Sequence, residues 1–266
     1  MSKNYLLGID IGTSACKVAV FDRNGKVLAA ASGDYPVYYP QEGWAEQNPE
    51  EWWDAVCRAS KETIQKADIK PDEIAGIGID GQSWSAIAID KEGKVLTNTP
   101  IWMDTRAQSI CDRLNQEIGA EKIFDVAGNS LQPSYSTAKI LWYKENLPEV
   151  YAKIDKILQS NSYIAYKLTG VISQDVSQGY GLHCFDMKKA CWDEEMCELL
   201  GIPMEFLPEI CDCDHVIGSV TAKAAAKCGL SEGTPVVAGG LDAACGTLGA
   251  GVIPVSYTHL RAHETD

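Results

Sequence analysis

No apolar run in this 266-residue chain reaches the ~18 residues that a membrane-spanning helix needs. Its opening, Met1-Ser2-Lys3-Asn4, leads into Tyr5-Leu6-Leu7 and breaks at once into Gly8-Ile9-Asp10, so the apolar stretch of a secretory leader is not expected here. Positive charge is scarce too. Lysine and arginine number 23 against 37 aspartates and glutamates, a net charge of −14. No basic stripe offers itself to a phosphate backbone, so nucleic acid is not an expected partner, and neither is a membrane. Internal repeats, low-complexity tracts and Pro/Ser-rich linkers are absent before residue 250, and residues 1–252 are expected to form one domain. The ten cysteines, with no leader ahead of them, read as reduced thiols of a cytoplasmic protein. Cys211-x-Cys213-x-His215 gathers soft ligands, but no second pair follows at metal-site spacing, and a loop is the simpler reading.

The pattern that is present belongs to an α/β domain. Tyr5 to Ile11 is an apolar strand, Cys16 to Phe21 alternates as a second, and Lys26 to Ala31 returns as a third after the Asn24-Gly25 turn. Asn48, Pro49 and Glu51 carry the signature of a helix start with a capping box, and Trp52, Val56, Ala59 and Thr63 follow at helical spacing. Further strands are expected at Glu73–Ile79, Ser85–Ile89, 95–96 and Pro235–Ala238. Helices are expected at Thr105–Ile118, Thr137–Lys144, Pro148–Ile154, Asn161–Leu168, Asp193–Leu200 and Ala243–Gly249. Hairpins first, then strands alternating with helices, predict a mixed β-sheet flanked by helices. After Val252 the periodicity stops. Residues 253–266, with two of the four histidines, are expected to be a non-native or disordered tail outside the fold.

Four segments carry chemistry. An Asp at the end of a buried strand, as in Asp10-Ile11-Gly12-Thr13-Ser14-x-x-Lys17, needs a partner, and a cation is a natural one. The Gly-Thr-Ser turn offers N–H groups and hydroxyls to a phosphate, and Lys17 a point charge; an Asp capping its own hairpin would look the same. In Gly239-Gly240-Leu241-Asp242, the glycines allow close approach of a ligand to the backbone. Asp242 stands where a strand passes into a helix, placed either to accept a proton or simply to cap. Gln82-Ser83-Trp84 mixes amide, hydroxyl and indole groups, a lining suited to a polyhydroxylated ligand. Trp102-Met103-Asp104-Thr105-Arg106 adds another aromatic, an acid and a guanidinium; core tryptophans and a capping Asp104 paired with Arg106 are the alternative.

Asp10-Ile11-Gly12-Thr13-Ser14, Gly81-Gln82, Trp102-x-Asp104-x-Arg106, Ala138-Lys139-Ile140-Leu141-Trp142 and Gly239-Gly240-x-Asp242-x-Ala244 stand in the order and spacing seen in the FGGY carbohydrate kinases. Asp175-x-Ser177, Phe185-Asp186 and Trp192 resemble the xylulokinase branch. The resemblance spans residues 5–252 and implies an actin-like ATPase, ribonuclease H-like fold, with ATP and Mg2+ as cofactors and a sugar hydroxyl as acceptor. It implies Asp242 as general base and Asp10 beside the metal, with Gly12, Thr13, Ser14 and Lys17 around the phosphates. Gln82, Ser83, Trp84, Asp104 and Asp242 would face a ketopentose such as D-xylulose; a homodimer is compatible with it. Xylulokinases usually carry Met-His where this chain has Ser83-Trp84, which opens the acceptor to another pentulose or a polyol. A non-catalytic actin-like protein is the remaining alternative. The family's C-terminal domain does not follow, so this length of chain is expected to be inactive by itself.

Overall fold

The computed structural model describes residues 4–252, and the expected tail at 253–266 lies outside them. Three strands open the fold: β1 (Tyr5–Ile11), β2 (Ala15–Phe21) and β3 (Val27–Asp34). They pair antiparallel in sequence order, then β4 (Ile74–Gly81) adds parallel to the other side of β1. Beyond β4 lie β6 (Pro235–Val237), parallel to it, and β5 (Val216–Ser219), antiparallel to β6. A two-residue strand, β7 (Gly240–Leu241), pairs parallel with the C-terminal end of β4. The sheet is mixed because the two hairpins return directly, whereas β4 reaches β1 only through the crossover helix α1 (Pro49–Ala67).

Alternation along the strands separates two faces. Leu7, Ile9, Ile11, Cys16, Val18, Val20, Ile77 and Ile79 bury one face under α1, α5 (Ser160–Thr169) and α7 (Ala222–Cys228). The opposite face carries Asp10, Lys17 and Asp80. A second apolar cluster lies beside the sheet, among α2 (Gln108–Leu114), α3 (Ala120–Ala127), α4 (Ser136–Asn146) and α6 (Glu194–Leu200). The last described helix, α8 (Asp242–Gly249), is largely exposed.

Local signals account for most of these elements. Asn48 accepts from the Glu50 N–H, Pro49 opens α1, and Trp52, Val56, Ala59 and Thr63 are buried on one face. The capping box does not close: Glu51 accepts from the Tyr38 hydroxyl at 2.8 Å instead. The helix expected over Thr105–Ile118 is shorter, because Asn115–Gly119 widens into a π-type turn, with Gly119 at φ 98°, before α3 resumes. The helix expected over Pro148–Ile154 is a single turn, Pro148–Tyr151, and Val95 makes only an isolated bridge with Ile89. Among the described residues, no helix is long and apolar enough to cross a membrane.

Candidate functional site

Three carboxylates meet at the C-terminal ends of neighbouring strands. The tripeptide Gly-Ile-Asp occurs at 8–10 and again at 78–80, and the parallel pairing sets Gly8 against Gly78, Ile9 against Ile79 and Asp10 against Asp80. Gly240 pairs with Asp80 in turn, so Asp242 follows two residues beyond that register. The Asp80 carboxyl is pushed up to about 7, first by burial, then by the hydrogen-bonded Asp10 carboxylate beside it, with Asp242 adding a smaller effect. Lys17 opposes the shift from β2, where it lies directly across from Asp10 with its Nζ 3.2 Å from Asp10 Oδ2. Asp80 was not among the residues expected from sequence, yet the repeated Gly-Ile-Asp was a signal that two strands end alike.

The phosphate-type turn is well tied. Gly12 donates its N–H to the Ala15 carbonyl at 3.2 Å and accepts from the Tyr35 hydroxyl at 2.6 Å, so its backbone is committed to the hairpin. The Thr13 hydroxyl receives the Trp102 indole N–H at 3.0 Å, and the Thr13 carbonyl receives Gln47 Nε2 at 2.8 Å. Gln47 Oε1 accepts from Gln82 Nε2, which links this turn to the Gln82-Ser83-Trp84 segment. Ser14 and the Lys17 side chain are exposed.

Asp242 is the first residue of α8, with Oδ1 accepting from the Ala243 N–H at 2.6 Å, and Leu241 occupies the cap position. A hydrogen-bonded relay sets the strand before it. Ser177 Oγ donates to Asp175 Oδ1 at 2.6 Å and accepts from the Leu241 N–H at 2.8 Å. The buried Asp175 also takes the Gln178 N–H and Asn161 Nδ2. Gly239 is required by the chain itself: it has φ 78°, and a Cβ there would lie 1.9 Å from the Ile79 carbonyl oxygen.

The second expected lining divides into an aromatic stack and a buried polar network. Trp84 has φ 62°, an outlying conformation for a bulky side chain. Its ring stacks on Tyr135 at 4.1 Å and meets Tyr180 edge-on at 5.9 Å. Tyr180 in turn lines an open depression of about 370 Å³ with Leu241, Ala243, Ala244, Thr247 and Leu248. Gln82 is buried, with Nε2 held by Gln47 and Oε1 without a partner. Asp104 is committed within the protein. It is fully buried, receives the Ala45 N–H and Arg106, and Arg106 itself bonds Glu46 and lies 3.9 Å over the Trp44 ring. The bonds from the neighbouring guanidinium are the pairing that the sequence offered as the alternative for Asp104.

Elsewhere, all ten cysteines are free thiols. Cys211 and Cys213 turn to the Gln174 carbonyl and Asp175, and among the described residues no three His, Cys, Asp or Glu side chains close into a metal cage.

The fold is that of the actin-like ATPases, and the site lies at one end of its central sheet. Residues 5–249 match the FGGY family of carbohydrate kinases, N-terminal domain, and the chain belongs to this family. It is 34% identical over 254 residues to the xylulose kinase of Bacillus subtilis, covering 96% of this chain and 51% of that one. The glycerol kinase of Thermococcus gammatolerans is 32% identical over 220 residues, covering 81% of this chain and 44% of the relative. A gluconate kinase structure from Lactobacillus acidophilus superposes with a TM-score of 0.88 at 31% identity, covering 94% of this chain and 50% of that one. The chain thus spans about half the length of the curated relatives it matches.

Proposed function

We propose that this chain is the acceptor-binding half of a kinase that transfers the γ-phosphate of ATP to a hydroxyl of a small sugar, with a ketopentose such as D-xylulose as the first candidate. One observation carries the reading: Asp242 opens an exposed helix beside the Asp10–Asp80 strand ends, while Tyr180 joins the same helix to the Trp84 wall. An acceptor lying against that wall brings a hydroxyl to Asp242. As general base, Asp242 takes the hydroxyl proton while the N–H groups of the first turn of α8 favour its negative charge.

The donor set suits a hard cation in an open site. Mg2+ binds through one or two carboxylates and keeps its other positions for water and phosphate. Asp10 is partly exposed, and its crowding against Asp80 raises the cost of two adjacent negative charges, which a cation relieves. Bound there, Mg2+ would neutralise charge on the transferred phosphoryl group. Asp10 and Asp80 would hold it, the Thr13 and Ser14 hydroxyls would face the phosphates, and Lys17 would exchange its Asp10 contact for a phosphate oxygen.

A polyol acceptor is the second reading, favoured by one feature. The Ser83-Trp84 segment presents an aromatic surface, and a glycerol kinase is among the relatives. Sugar-dependent ADP release from the full-length protein, over ketopentoses, polyols and aldonates, tests both. Turnover with a ketopentose supports the first reading and turnover with polyols alone the second. A folded, nucleotide-binding protein with no acceptor-dependent turnover contradicts both.

A further inference from the structure

Lys139 is fully buried, and among the described residues its ammonium makes no ion pair. Its Nζ donates to two carbonyls, Trp84 O at 2.7 Å and Ser134 O at 2.6 Å. A buried ammonium whose hydrogen bonds go to carbonyl dipoles is costly to keep, so its place in the fold calls for a reason. The two carbonyls belong to the residue that carries the strained indole and to the residue just before Tyr135, on which that indole stacks. One side chain therefore ties both halves of the aromatic pair. Gly181 also bounds Trp84, since a Cβ there would stand 2.6 Å from Trp84 Cδ1.

We propose that Lys139 is a positioning residue for acceptor selection: by clamping the carbonyls of Trp84 and Ser134 it holds Trp84 in its left-handed conformation and fixes the Trp84–Tyr135–Tyr180 wall. The inference rests on the reading that this wall contacts the acceptor. Burial depresses the Lys139 ammonium to about 7, with Asp104 opposing and Arg106 assisting, in keeping with a cation retained at a cost. Without the clamp the Trp84 backbone relaxes out of the left-handed region and the indole leaves its stack.

The test is Lys139→Met in the full-length protein, a change that keeps the length of the side chain and removes its donors. The clamp predicts an acceptor KM raised about tenfold or more and a broadened acceptor preference, with kcat and the KM for ATP nearly unchanged. A folded Lys139→Met variant with unaltered acceptor KM and preference overturns it, as does one that loses kcat and both KM values together. A double-mutant cycle with Trp84→Gly decides the matter without turnover, because glycine takes positive φ freely. Strong coupling in thermal stability between the two changes supports the clamp, and additive effects overturn it. If the wild-type protein shows no acceptor-dependent turnover, the kinase reading fails while the cycle still reports on Lys139.

Discussion

The acid cluster and the aromatic wall are built in opposite ways. Asp10, Asp80 and Asp242 are placed by backbone register: three strands in line bring three carboxylates to one end of a sheet. The wall is placed by side chains. Trp84 sits on a loop in a disfavoured conformation, and its position depends on Lys139, Tyr135 and the missing Cβ of Gly181. A sheet end holds chemistry that must not vary, because displacing it means breaking a ladder. A packed loop holds selectivity, because single side chains can re-aim it while the ladder stays intact.

The largest expected effect lies on the acid side. Asp242→Asn should lower kcat by about 10³-fold, in the range of losing a general base, with little change in acceptor KM or in thermal stability. Next comes Ser177→Ala, which removes the hydroxyl bridging Asp175 to the Leu241 N–H and leaves a buried carboxylate oxygen short of a donor. It should cost about 1–3 kcal/mol in denaturant unfolding and reduce kcat more than it raises KM. On the wall side, Gly181→Ala should push the indole aside and raise acceptor KM severalfold without touching kcat; an unchanged KM in steady-state kinetics would show that the wall does not meet the acceptor.

The pH dependence of stability sharpens the same contrast. Lys139 loses its proton near 7 in the folded state, whereas an unfolded lysine keeps it to about 10.4. Between those values the unfolded chain binds more protons, so stability rises with pH. Wild type should gain on Lys139→Met, by an amount on the order of a few kcal/mol, when unfolding is compared at pH 7 and pH 10. His183 acts on the acid side: burial lowers it to about 4, with Nδ1 against Thr137 Oγ1 at 3.0 Å. The unfolded imidazole takes up a proton near pH 6.5, so stability falls as pH drops from 6.5 towards 4, and His183→Gln should flatten that loss in urea titrations at stepped pH.

What was legible in the residues follows the same division. Strand periodicity and the Asn-Gly turn gave the opening hairpins, and Asn48-Pro49 gave the start of α1. The strand-end carboxylates Asp10 and Asp242 were visible because an Asp after an apolar run stands out. Asp80 was equally visible in Gly-Ile-Asp but drew attention only when register set it beside Asp10. Asp104 was legible as a partner of Arg106, and the guanidinium two residues on does take both its oxygens; that Ala45 and Glu46 join the same buried network is what the local motif does not reveal. The wall was half legible: Trp84 could be named, but Tyr135, Tyr180 and Lys139 join it from positions 51, 96 and 55 residues away in sequence, and only packing reveals such partners. Helix α7 was missed because its run of alanines and lysines offers little apolar periodicity.

The central claim is that the sheet-end acids and the adjoining wall together serve phosphoryl transfer to a sugar. ADP formation by the full-length protein over a panel of ketopentoses, polyols and aldonates, run beside Asp242→Asn, tests it most directly. The account predicts turnover that depends on one class of acceptor and collapses in the variant. Acceptor-dependent turnover that survives Asp242→Asn would contradict the assigned base, and a folded, ATP-binding wild type with no such turnover would contradict the function itself.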